Sequence, residues 1–238
     1  MPLHLTVNDP GALIARCDYA MVRTAKGQPD YEDGALIPSG LWQRLTEDRA
    51  RAVAAPSWTA PSTLVEIVRP PLLAENQLDT LAAPLGDERA QYLGQALAKP
   101  DMPTTTHNYQ DGRLIGLHLD NWDKLIYGQK PRGRRRLMLN LGPGTRYLIL
   151  GALDAQTACR AAHPEDYVRR YPHTDDCRSY IAAGRPLHCF RIRLAPDEGY
   201  IAPTENLLHD GSTEGQNEPS AAAFWLGRWP AGTLPSLI

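Results

Sequence analysis

From Thr104 onward the apolar residues come in short runs, each closed by Gly, Pro, Asn or Asp before it reaches helical length. RLIGLHLD, RRRLMLNLG, TRYLIL, LHCFRIRL, GYIAP and AAAFWLGRW share this form, and runs of that length between turn residues are strands. Six or more short strands predict a β-sandwich or barrel of the jelly-roll type. Gly142-Pro143-Gly144 reads as a hairpin turn between RRRLMLNLG and TRYLIL. A polar, helix-leaning insert over 154–184 separates TRYLIL from the next strand, with Pro164 and Pro172 breaking it into pieces.

The first 103 residues read differently, as a mostly helical support. Ser39 can cap a helix over 41–54, and a second helical region spans 75–97. Between them TLVEIVR alternates like a strand and stops at Pro70-Pro71. The expected fold is therefore mixed α+β in a single domain over 1–238. A jelly-roll core (104–238) carries the helical insert and rests on N-terminal helices.

Composition narrows the function. A formal net charge of −2 lacks the excess of Lys and Arg that wrapping nucleic acid or lying on an anionic membrane requires. No window has the apolar length of a membrane span, and the start lacks a basic segment followed by an apolar one, so the expected location is the cytoplasm. Cys17, Cys159, Cys177 and Cys189 form no CxxC pair and read as reduced, buried thiols. The basic run Arg132 to Arg136 reads as a solvated turn feeding a strand. The motifs GxGxxG, GxxxxGK[ST], GxSxG and HExxH are all missing, so dinucleotide, P-loop, hydrolase and zincin chemistry have no starting point.

His118 and Asp120 stand at i and i+2 in RLIGLHLD, so on a strand both face one side while Leu117 and Leu119 face the other. An imidazole and a carboxylate side by side can supply two ligands of a facial metal site. A second HxD, at His173 to Asp175, follows Pro172 and is explained by capping of the helix after it. The string NYQDGRLIGLHLD resembles the Y-x-x-G-x5-H-x-D stretch of iron(II), 2-oxoglutarate-dependent oxygenases, especially prolyl 4-hydroxylases and alkylated-nucleic-acid demethylases. The likeness covers about 13 residues.

The resemblance implies a double-stranded β-helix with His118 and Asp120 on iron, and with Tyr109 and Asn108 lining the 2-oxoglutarate site. It also implies a second histidine on a later strand and, beyond it, a basic residue for the distal carboxylate of 2-oxoglutarate. His209 and Arg228 stand in that order, although the 19 residues between them exceed the family's usual spacing and EGQNEPS must absorb the surplus. Arg146, on TRYLIL, is the competing anchor. Asn140, if it points inward from LMLNLG, needs polar partners that a cosubstrate can provide. The implied activity is hydroxylation of a small-molecule substrate with O2, entering past the 154–184 insert and the loop over 210–220. A cupin-like metal enzyme that does not use 2-oxoglutarate, or a metal-free binding protein, would need the same scaffold.

Overall fold

The computed structural model describes residues 3–238 except 57, 72–77, 79, 82–84 and 86. Among them the chain forms β1 (His4–Leu5), α1 (Pro10–Arg16), β2 (Cys17–Thr24), β3 (Tyr31–Arg44), α2 (Glu47–Val53), β4 (Leu64–Val68) and β5 (Gln91–Ala98). The second part adds β6 (Leu114–Gly116), β7 (Arg135–Pro143), β8 (Arg146–Asp154), α3 (Ala155–Ala162), α4 (Thr174–Ala182) and β9 (His188–Leu194). It closes with β10 (Gly199–Ala202), β11 (Leu207–Ser212) and β12 (Ser220–Gly227). No helix of the described residues is long and apolar enough to cross a membrane.

The strands make two six-stranded sheets, ordered β1-β4-β10-β7-β12-β5 and β11-β8-β9-β2-β3-β6. From β5 onward the chain passes repeatedly from one sheet to the other, an order compatible with a jelly roll. Strand alternation builds the layers. Met138, Leu148, Leu150, Phe190 and Ile192 meet in the core between the sheets, whereas Leu137 and Leu139 face a second core with Trp225 and Trp229. Ile149 and Cys189 point the opposite way, under α3 and α4, where Ala155, Ala158 and Cys177 cover them. Each fully buried Leu, Ile or Phe contributes roughly 1.5–3 kcal/mol of transfer free energy.

The N-terminal region departs from the sequence reading, because it is largely sheet. Leu41 to Arg44 belong to β3, paired with β2 at Asp18↔Arg44 and Tyr19↔Gln43, and α2 starts only after Thr46, whose Oγ1 accepts from Arg49 N at 3.4 Å. The Leu41/Leu45 spacing imitates a helix face, but Leu41 is 90% exposed. The expected helix over 75–97 lies partly outside the described residues. Its last stretch is β5, which pairs with β12 from Ala98↔Ser220 to Gln91↔Leu226. QALA favours helix locally, and a sheet partner overrides that preference.

Gly142-Pro143-Gly144 also turns out differently. It is a corner between sheets, since β7 pairs with β10 and β12 while β8 pairs with β9 and β11. Asn140 holds this corner. Its amide donates to Gly144 O at 3.0 Å and Leu194 O at 3.1 Å, and its carbonyl accepts from Gly142 N and Ser220 Oγ. Local turn chemistry encodes a reversal and leaves the choice of partner to the rest of the chain.

Candidate metal centre and its cavity

β6 brings the first two candidates into place. It runs parallel to β3, and Gly116 (φ 66°) lies so close that a Cβ there would stand 2.3 Å from Leu36 O. Only glycine takes both that backbone and that approach. Leu117 N then bonds Leu36 O, while His118 and His209 exchange both backbone hydrogen bonds at 3.0 Å. This bridge ties the β6 edge of the second sheet to its β11 edge and nearly closes it into a barrel. Alternation does the rest: Leu117 and Leu119 enter the core under α3 and α4, and His118 and Asp120 face the other way.

His118, Asp120 and His209 offer three ligand atoms that all lie within 4.8 Å of one another. Asp120 Oδ1 is 3.9 Å from His118 Nε2 and 3.7 Å from His209 Nε2, and the ring centroids are 4.5 Å apart. Each imidazole is oriented by its own strand. His118 Nδ1 donates to Gly116 O at 2.9 Å and His209 Nδ1 to Leu207 O at 3.2 Å. A carbonyl can only accept, so in the neutral tautomer each Nε2 keeps its lone pair, the arrangement a metal ligand requires.

Electrostatics hold Asp120 and His209 in their ligand forms. Burial drives the His209 pKa down to about 3. Burial alone would raise Asp120, but Arg136 above all, with both histidines, holds it down to about 2. Asp120 Oδ2 and His209 Nε2 are buried with no hydrogen-bond partner. Unpaired buried polar atoms are costly, and a divalent ion between two imidazoles and a carboxylate would satisfy them, so these residues fit a metal.

His209 of the cluster lines a cavity of about 410 Å³, walled among others by Arg136, Met138, Arg146, Tyr200 and Phe224. Arg146 is 4% exposed, and its Nε and Nη1 have no partner. It lies across Gly211, where a Cβ would stand 2.6 Å from Arg146 Nη2 and 2.5 Å from Thr105 Oγ1. Asp210, also buried, is pinned by Thr106 Oγ1 at 2.7 Å and by the amides of Thr105, Thr106 and Gly211. No protein-family model matches this chain, and no curated protein matches it. The site is therefore read from its own geometry.

The structure separates the other sequence candidates from this cavity. Arg228 follows the end of β12, exposed, with its Nη1 donating to Arg132 O at 2.8 Å. Tyr109 is 95% exposed, and the Asn108 amide donates to Glu32 Oε1 at 2.6 Å, away from the cavity lining. Asn140 spends its amide on the sheet corner. The insert packs on the outer face of the second sheet, and the cavity wall is β5, Thr105 to His107 and Trp122 instead. This takes the insert out of the expected entry route, because α3 and α4 bury their apolar faces against β2, β3 and β8, whereas Asp210 and Gly211 of the expected loop do line the cavity.

Two contributors escaped the sequence reading. The β5 segment has the local composition of a helix, and Arg136 sits in a basic run that resembles a solvated turn. The run is in fact divided by alternation. Arg134 pairs with Asp123 at 2.7 Å, Arg135 is buried on Glu66 at 2.7 Å, and Arg136 reaches Asp120 at 2.7 Å. Period-two spacing of the run with LMLNLG was the available signal. The four cysteines are buried and free, and burial pushes the thiols up, Cys159 and Cys189 to about 12.

Proposed function

We propose that this protein is an iron(II)- and 2-oxoglutarate-dependent oxygenase that hydroxylates a small metabolite, amino acid or peptide. The observation that carries this reading is Arg146, a buried guanidinium with unpartnered nitrogens that lines the same cavity as His209 of the His-Asp-His group. Arginine stays charged even when buried, and a charge without a partner is costly, so a pocket that keeps one open suits an anion. Gly211, beneath Arg146, is two residues along β11 from His209, a rise of about 7 Å. That span suits a short dicarboxylate with one end at the metal and the other on the guanidinium, which can bind it through two parallel hydrogen bonds.

Charge points the same way. A divalent ion with Arg136 and Arg146 brings more positive charge to the cavity than the Asp120 and Asp210 carboxylates can offset, which suits a dicarboxylate. Two imidazoles and one carboxylate leave coordination positions open for cosubstrate and oxygen. The passage of strands between sheets supports a double-stranded β-helix as the scaffold.

His118, Asp120 and His209 would hold iron(II), which with 2-oxoglutarate supplies oxygen activation and oxidation of a substrate C–H bond. The chain's own part is positional. Gly116 and the backbone bridge fix the two imidazoles, Arg146 orients the cosubstrate, and Met138 and Phe224 keep water from the inner wall. Substrate would enter between β5 and Trp122, whose ring is 54% exposed beside the cavity.

The test is anaerobic titration of the protein with iron(II), then 2-oxoglutarate, watching for the weak visible charge-transfer band of a chelated 2-oxoacid. The band should appear in wild type, vanish in His118→Ala and require far more 2-oxoglutarate in Arg146→Ala. Iron binding without a band would replace this reading with a metal enzyme that does not use 2-oxoglutarate. Absence of iron binding would leave a binding protein on the same scaffold.

A further inference from the structure

We propose that Trp122 is the platform on which the substrate stacks, and that the substrate carries an uncharged aromatic ring. The inference rests on the oxygenase reading and deepens it by naming a chemical class for the molecule oxidised.

Among the exposed aromatic side chains of the described residues, Trp58, Tyr109, Trp122 and Tyr171, Trp122 alone lines the cavity that His209 also lines. Its side chain reaches solvent, yet its backbone is held by buried groups. Glu205 Oε1 accepts from Trp122 N at 2.6 Å and from Asp123 N at 3.3 Å. That carboxylate is fully buried and faces Lys130 Nζ, also fully buried, at 3.6 Å. The same Nζ donates to Asn121 Oδ1 at 3.0 Å, and Asn121 takes a φ of 89°, uncommon for a residue with a side chain. A buried ion pair is weak evidence of stabilisation, because desolvation offsets its attraction. Here the pair fixes three successive residues, 121 to 123, and the middle one presents an indole to the cavity. Backbone strain held in place by its surroundings gathers at binding sites.

The rest of the entry wall leaves room for a ring. β5 pairs with β12 at Gly94↔Phe224 and Ala96↔Ala222, so Gly94 and Ala96 share the face of Phe224, which lines the cavity. A Cβ on Gly94 would meet nothing within 4 Å, and Ala96 is exposed. Charge decides what can occupy that space. The wall formed by Leu93 to Ala98, Thr105 to His107 and Trp122 holds no carboxylate, ammonium or guanidinium. A charged group lodged there would lose water and gain no counter-charge. The guanidiniums of Arg136 and Arg146, which line the same cavity, further oppose a cation. A neutral, flat group gains most from an indole face, because offset stacking adds to the burial of apolar area.

Binding to the full chain is measured by saturation-transfer NMR with 2-naphthol and with its saturated counterpart, decahydro-2-naphthol. 2-Naphthol should bind wild type, and the saturated compound should bind about fivefold more weakly, because only the planar ring stacks. Trp122→Ala should weaken 2-naphthol on the order of tenfold, while Trp122→Phe, which keeps an aromatic face, should stay within about threefold of wild type. Ala96→Leu places a larger side chain at an exposed position of an edge strand and should weaken 2-naphthol with the indole intact. Mn(II), which binds without turnover, should broaden the ring protons of bound 2-naphthol in protein whose Mn(II) uptake is shown by loss of the free ion's resonance. Calorimetric titration of 2-oxoglutarate into the same Mn(II)-loaded protein reads the cosubstrate separately.

Equal binding of the two naphthols would overturn the ring. Tetramethylammonium binding more tightly than 2-naphthol would overturn the neutral class. Unchanged 2-naphthol affinity in Trp122→Ala, or bound 2-naphthol that Mn(II) fails to broaden, would overturn the platform. 2-Naphthol bound at Trp122 with no heat from 2-oxoglutarate would overturn the oxygenase reading and leave the ring site standing, whereas 2-oxoglutarate bound without 2-naphthol would overturn the ring site alone.

Discussion

His118 and His209, 91 residues apart in sequence, face each other as one hydrogen-bonded antiparallel pair, N to O at 3.0 Å in both directions. Residues so paired point to the same side, and here the rings end 4.5 Å apart. The two nitrogen ligands are thus spaced by backbone hydrogen bonds, which no side-chain rearrangement can loosen. Asp120 follows two residues on, past the end of β6, where its amide bonds Thr204 O at 3.0 Å.

Metal should stabilise the folded chain through that pair. At a free ion concentration of about 100 times Kd, binding adds roughly 2.7 kcal/mol, a Tm rise of about 5–10 °C for a chain of this size. Differential scanning fluorimetry with Mn(II) should show the rise in wild type and lose it in His118→Ala, Asp120→Ala and His209→Ala.

Gly116→Ala should cost more than an ordinary glycine substitution. The left-handed backbone and the 2.3 Å approach of a Cβ to Leu36 O both oppose it, so strain of about 1–3 kcal/mol is the minimum. Urea unfolding should register that loss, and Mn(II) affinity should fall with it, because Gly116 O also orients His118.

Gly211→Ala separates the two halves of the cavity. A methyl there displaces Arg146 and leaves the bridge between His118 and His209 intact, so 2-oxoglutarate affinity should drop at least tenfold with Mn(II) affinity nearly unchanged. Arg228→Ala, on the outer surface, should alter neither in the same titrations.

Asn140→Ala should act on stability alone. It strips the corner between sheets of four hydrogen bonds and leaves buried groups unpaired, a loss of about 1–3 kcal/mol by urea unfolding. Metal and dicarboxylate binding should persist.

Glu205 carries a pH signature. Burial first of all raises its pKa above the ordinary 4.5, against the pull of Lys130. Between pH 4.5 and the raised value the folded chain keeps a proton that the unfolded chain has released, so stability falls as pH rises through that window. Measured as wild type minus Glu205→Gln, the unfolding free energy difference should therefore fall as pH increases above 4.5. A difference that grows would contradict the sign.

The strands of the second half were legible because each is a short apolar or alternating run closed by turn residues, and that pattern survives in any partner arrangement. β5 and the start of α2 were not, since QALA and the Leu41/Leu45 spacing satisfy a helix locally and become sheet only when β12 and β2 lie alongside. The same limit divides the site. HxD on a strand announced its own shared face, and a later histidine could be proposed by resemblance, but the basic partners could not be ranked from their order in the chain.

The sequence by itself determined a β-rich chain with His118 and Asp120 on one side of an extended segment, because side-chain alternation is a property of the local backbone. Only the tertiary structure decided that Arg146 rather than Arg228 enters the cavity, that Arg136 meets Asp120, and that His209 stands opposite His118. Those choices depend on which strands become neighbours. That is fixed by burial of both faces of each sheet at once, and no short segment contains it.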